Sequence, residues 1–132
     1  MKLLLDTHAF IWWDGEPSRF SPRALAELQN PSCDVLLSVV SIWEILIKTQ
    51  LGKMTLRLPL SEIISQQMDN GVEILPVTLE HTFGLETLPP VHKDPFDRLL
   101  IAQARVEDAP LLSVDRIFNQ VSGADLVVIS PI

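Results

Sequence analysis

Apolar residues along this chain fall into two recurrent patterns. Short runs of strand length occur at Leu3-Leu4-Leu5, Val35-Leu36-Leu37-Ser38, Val72-Glu73-Ile74-Leu75, Leu111-Leu112-Ser113-Val114 and Leu126-Val127-Val128-Ile129. Continuous apolar runs, rather than alternating ones, mark strands buried on both faces of a sheet. Between them the apolar positions return at helical spacing. A short helix through Ala9 to Trp13 is expected after the first run. Ser21-Pro22 places a cap residue before a proline suited to a first helical turn and predicts a helix over 22–29. Ile42, Ile45, Leu46 and Thr49 predict a helix from Ser41 to about Gln50, closed by Leu51-Gly52. Further helices are expected from Pro59 to Asp69, stopped by Asn70-Gly71, over 79–86, and from Phe96 to Val106 behind the opening pair Asp94-Pro95. Strands alternating with helices imply a three-layer α/β/α sandwich around a central, mostly parallel sheet.

Composition narrows this picture. With 132 residues, 47 % of them hydrophobic, the chain has the size and core material of one domain, residues 1–132. Its net charge of −7 excludes a general polycationic grip on nucleic-acid phosphates, so any such contact must be local. The single cysteine, Cys33, excludes an internal disulfide and leaves no Cys/His zinc cluster. No apolar run approaches the roughly 18 residues of a membrane span, and the run before Asp6 is too short for a signal-peptide core. A cytoplasmic protein with no membrane partner is expected.

The acids are the candidate chemistry. In parallel α/β sheets, ligands bind at the carboxyl ends of the strands, where helix N-termini also converge. Asp6 and Asp115 end strands, Glu44 is expected in the first turn of the helix after the second strand, and Asp94 and Asp97 open the last long helix. Each has a structural alternative. Asp6, Asp94 and Asp115 suit helix N-caps, Ser41-Ile42-Trp43-Glu44 fits a capping box, and Glu44 can pair with Lys48 one turn on. If Asp6, Glu44, Asp97 and Asp115 converge, each ionised pair about 5 Å apart repels by roughly 3 kcal/mol at an effective dielectric of 20. Helix N-termini offset only about 0.3–1 kcal/mol each. Such a cluster must take up protons or hold a cation, and an all-oxygen donor set selects Mg²⁺ or Mn²⁺. A carboxylate-held ion of this kind is equipment for phosphoryl chemistry. Lys48, Arg98, Arg105 and Arg116 are the candidate cations for holding a phosphodiester.

Leu4-Leu5-Asp6-Thr7-His8, Ser41-Ile42-Trp43-Glu44-Ile45, Asp94-Pro95-Phe96-Asp97-Arg98-Leu99-Leu100-Ile101-Ala102-Gln103-Ala104 and Ser113-Val114-Asp115 together resemble the successive motifs of PIN-domain ribonucleases, along nearly the whole chain. The Asp-Pro-Phe-Asp-Arg stretch is similar to VapC-type toxins of bacterial type II toxin–antitoxin pairs. The resemblance implies a PIN-like fold and a Mg²⁺- or Mn²⁺-dependent endoribonuclease acting on single-stranded or loop RNA. It also implies a cognate antitoxin and a homodimer. It carries the catalytic acids to Asp6, Glu44, Asp97 and Asp115, with Asp6, Asp97 and Asp115 on the metal. Asp97 is preferred to Asp94 because it lies seven residues before Ala104, as in the family's third motif, and Asp94 stands behind it as a supporting group. Thr7, Arg98 and Ser113 are the expected substrate contacts or carboxylate supports.

The roles of His8 and of Trp12-Trp13 stay open between substrate or partner contact and structure. Two rivals are a PIN-like binding module without catalysis and a Mg²⁺-binding phosphoacceptor receiver. The receiver requires an adjacent acidic pair after the first strand and a late lysine, whereas only Asp6 follows that strand and no lysine lies beyond Lys93.

Overall fold

The computed structural model describes residues 1–88 and 94–113 and the strand at 128–129. Its strands are β1 (Lys2–Leu5), β2 (Asp34–Ser38), β3 (Glu73–Leu75), β4 (Leu111–Leu112) and β5 (Val128–Ile129). Its α-helices are α1 (Thr7–Gly15), α2 (Pro22–Gln29), α3 (Val39–Gln50), α4 (Leu60–Asp69), α5 (Leu79–Phe83) and α6 (Pro95–Val106), with short 3₁₀ turns at Pro17–Arg19 and Gly84–Thr87. The sheet order is β3-β2-β1-β4-β5, with every pairing parallel. β1 therefore lies at the centre, Leu3 beside Val35 and Leu5 beside both Leu37 and Leu112.

The apolar runs are buried on both faces, as parallel strands between helical layers must be. Leu3, Leu5, Val35, Leu37 and Leu112 face a core closed by Ala9 and Phe10 of α1, Phe20, Ala24 and Leu28 of or beside α2, Ile45 of α3 and Ile63 of α4. The alternate residues Leu4, Leu36 and Leu111 face the opposite core, with Leu88 and with Ile101, Ala102 and Ala104 of α6. The three-layer α/β/α expectation is met. Trp12 and Trp13 pack against the first core, with ring centroids 5.5 and 6.5 Å from Phe20. Among the described residues no helix is long and apolar enough to cross a membrane.

Helix ends follow local chemistry. Ser21 caps α2 by accepting from the Ala24 N–H, with Pro22 at the first position. α3 and α4 end in Gly52 and Gly71, both at positive φ, whose C-terminal neighbours Lys53 and Val72 donate back to the Lys48 and Gln67 carbonyls. α6 ends in the same hydrogen-bond pattern, but its left-handed position is filled by Asp108 at φ 51°. The helix expected over 79–86 divides into α5 and a 3₁₀ turn, and α1 runs two residues past each end of the expected Ala9–Trp13 segment.

Candidate active site

Asp6 follows the central strand and is 3 % exposed. One oxygen, Oδ1, accepts the Ala9 N–H at 2.6 Å and so caps α1. The other, Oδ2, accepts from the Ser113 hydroxyl, which follows β4, at 2.5 Å. The capping reading of Asp6 is borne out. One donor from the first turn of α1 and one from the end of β4 fix the carboxylate at the carboxyl edge of the sheet.

α3 begins at Val39, two residues before the expected Ser41, because the Ser38 hydroxyl accepts from the Val40 N–H at 3.0 Å and caps the helix. This corrects the reading of Glu44. It is the sixth residue of α3, not a first-turn residue, and the Ser41–Glu44 capping box does not form. Ser41 is buried inside the helix, 3.1 Å from the Thr7 hydroxyl. Glu44, 4 % exposed, accepts the Thr7 hydroxyl proton on Oε1 at 2.6 Å and meets Lys48 Nζ on Oε2 at 2.6 Å. The Glu44–Lys48 pairing weighed from the sequence is therefore present, and one charge of the supposed acidic cluster is compensated within α3.

Asp94 caps α6, accepting from the Phe96 and Asp97 N–H groups at 2.9 and 3.1 Å. Asp97 lies in the first turn, where the helix dipole favours a carboxylate. Asp6, Thr7, His8, Glu44, Lys48, Asp94 and Asp97 line one pocket of about 180 Å³. The pocket brings together three of the four proposed catalytic acids, and the fourth, Asp115, lies outside the described residues, as does Arg116. His8 is exposed, and Asp6, not His8, caps α1. Arg98 sits beside Asp97 at the start of α6, whereas Arg105 is in the last turn, at the helix end away from the pocket.

The lining carries four carboxylates against one lysine. Among the described residues no three His, Cys, Asp or Glu groups close into a compact metal-ligating set. The donors present still fit a hard cation. They are carboxylate and hydroxyl oxygens, and a Mg²⁺-type ion takes one or two carboxylates while keeping several waters. A pocket of about 180 Å³ has room for an ion with some of its waters. Asp6, Asp94 and Asp97 are the described carboxylates of the lining that could hold such an ion, Glu44 being bonded to both Thr7 and Lys48.

Two features escaped the sequence reading. Gln103 is fully buried in α6 and accepts the Ser38 hydroxyl proton on Oε1 at 2.5 Å. Its amide nitrogen donates to the Pro76 carbonyl at 3.3 Å and approaches His81 Nδ1 at 3.4 Å. His81 Nδ1 accepts the Thr78 N–H, so its proton sits on Nε2 and is donated to Glu107 at 2.8 Å. A polar amide within the apolar Leu100–Ala104 stretch is the sequence signal that marks Gln103. The second feature is the pair Trp43 and Phe96, whose rings meet edge to face at 5.0 Å and 77°. Trp43, 57 % exposed, interrupts the apolar spacing of α3 with a large ring facing solvent.

Residues 3–124 match the PIN domain family. The chain is 27 % identical over 115 residues to ribonuclease VapC22 of Mycobacterium tuberculosis, covering 86 % of this chain and 87 % of that one. Its fold is similar to VapBC2 from Rickettsia felis bound to a DNA fragment from their promoter (TM-score 0.71, 17 % identity) and to a toxin–antitoxin complex from Klebsiella pneumoniae (TM-score 0.65, 15 % identity), each over 98 % of both chains. The acids lining one pocket, the parallel sheet beneath Asp6 and a match spanning nearly the whole sequence lead to one assignment: the chain belongs to the PIN-domain family.

Proposed function

We propose that this chain is a divalent-cation-dependent endoribonuclease, the toxin of a toxin–antitoxin pair, working as one domain over residues 1–132. The observation that carries the reading is the pocket shared by Asp6, Glu44 and Asp97 at the carboxyl edge of the sheet. The similarity to a protein named a ribonuclease and to a toxin–antitoxin complex supports it. The receiver alternative falls with the family assignment.

In this reading Asp6, Asp97 and Asp115 would hold Mg²⁺ or Mn²⁺, and the bound ion would supply positive charge against the phosphodiester and a more acidic water. The chain's own groups do the rest. The Ala9 N–H and the Ser113 hydroxyl fix Asp6. Asp94 fixes the helix turn that presents Asp97. Thr7 and Lys48 hold Glu44 in one orientation, leaving its unused lone pairs to align the attacking water. Lys48 and Arg98 offset phosphate charge. RNA is the substrate, an antitoxin protein and a second copy of the chain are the partners, and the cytoplasm is the location.

The test is cleavage of single-stranded RNA by protein stripped with EDTA, then supplied with Mg²⁺ or Mn²⁺. Activity that disappears with EDTA and returns with the ion is expected. Activity indifferent to both treatments contradicts the metal mechanism, and growth unaffected by expression of the chain without an antitoxin contradicts the toxin role.

A further inference from the structure

Trp43 has no place in the hydrolytic machinery, yet its position is specific. It is the chain neighbour of Glu44, and Phe96, the ring it meets, is the chain neighbour of Asp97. The two aromatics therefore join α3 to the start of α6 beside residues that line the pocket. Burial normally claims an indole this large, and here more than half of it faces solvent.

We infer that Trp43, braced by Phe96, is the stacking platform for a nucleobase next to the phosphodiester bound in the acidic pocket, which makes it a specificity-determining residue for unpaired RNA. This rests on the proposed ribonuclease function. The pocket lining sets four carboxylates against Lys48, which is also paired with Glu44, so a contact that needs no charge adds to the grip the cations give the phosphates. Base stacking on an aromatic face supplies affinity without charge and tolerates any base. Bases in a duplex are already stacked on each other, so the platform selects single strands and loops.

Size argues against a second copy of the chain as the occupant. Val39 and Leu46 flank Trp43 on α3 and are also exposed. The three make a small apolar patch, whereas a standard protein interface buries about 800 Å² per partner over roughly 20–30 residues. The exposed indole by itself has the scale of one base.

The experiment is fluorescence anisotropy of a labelled ten-nucleotide single-stranded RNA, with Ca²⁺ in place of Mg²⁺ to hold off cleavage. It compares wild type, Trp43→Ala and Trp43→Phe, alongside a duplex of the same sequence. Trp43→Ala is expected to bind the single strand about tenfold more weakly and Trp43→Phe within a few-fold of wild type, with duplex affinity unchanged. Hydrolysis of bis(p-nitrophenyl) phosphate, which has no base, is expected to be equal in all three. Equal affinity of wild type and Trp43→Ala for the single strand overturns the inference. So does a Trp43→Ala protein whose oligomeric state changes in light scattering while its RNA affinity does not, which makes the residue a subunit contact. RNA bound through Trp43 but left uncut with Mg²⁺ or Mn²⁺ removes the nuclease reading and keeps the platform.

Discussion

The Ser38 hydroxyl donates to Gln103 Oε1 at 2.5 Å while accepting from the Val40 N–H, so one buried serine both caps α3 and ties it to α6 across 65 residues of sequence. These are the helices that carry Glu44 and Lys48 on one side and Asp97 on the other. The Gln103 amide is the buried polar tie between them, beside the Trp43–Phe96 ring contact. Gln103→Leu removes that tie and leaves the Ser38 hydroxyl and the Pro76 carbonyl without their partner. The expected cost is about 1–3 kcal/mol in urea unfolding, with RNA cleavage reduced as well. A variant as stable as wild type contradicts the role given to this side chain.

Lys48 and Glu44 form the second connection. Lys48→Met leaves Glu44 buried without its cation and is expected to destabilise by roughly 1–2 kcal/mol, less than for a fully buried pair because the Lys48 side chain is 32 % exposed. Adding Glu44→Gln removes the uncompensated charge, so the double variant should recover part of the loss. A double-mutant cycle in urea measures this directly, and strictly additive effects would show that the pair is not coupled.

What was legible in the sequence was local. The run Leu3-Leu4-Leu5 ending at Asp6 identifies the central strand because a run buried on both faces has nowhere to place a polar residue. Asp94-Pro95 identifies the start of α6 because a carboxylate that caps and a proline without an N–H suit only that position. The start of α3 was misplaced because Ser38 and Ser41 are both competent caps, and Val39-Val40 read equally well as the end of a strand. That two-residue difference moves Glu44 from its own helix end to a contact with Thr7 on α1. The ties Ser38–Gln103 and Trp43–Phe96 join residues more than fifty positions apart, which no local spacing encodes.

Glu107 provides a pH signature. The hydrogen bond from His81, with lesser help from Lys2, holds its carboxyl below the ordinary value of 4.5 against the opposing effect of burial. A lowered carboxyl pKa stabilises the fold fully above that ordinary value, and the stabilisation is lost as pH falls through it toward the folded value. Wild type should therefore exceed Glu107→Gln in urea stability at pH 7, and the gap should narrow as pH falls below 4.5. A gap that is constant with pH contradicts the assignment.

Asp108 is the non-glycine residue at positive φ among the described residues, φ 51°, at a helix end where α3 and α4 use glycine. Asp108→Gly should raise stability by roughly 0.5–1 kcal/mol through relief of the left-handed strain, and Gly71→Ala should lower it by a similar amount. Thermal or urea unfolding of the two variants reads the opposite signs.

Cleavage of single-stranded RNA with Mn²⁺, measured for wild type beside Asp6→Asn and Asp97→Asn, bears most directly on the chemistry assigned to the pocket. Asparagine caps a helix about as well as aspartate, so Asp6→Asn should stay within about 1 kcal/mol of wild type in urea. Both variants are predicted to lose RNA cleavage by about a hundredfold or more. Folded variants that cut RNA as fast as wild type would contradict the claim that these carboxylates perform hydrolysis.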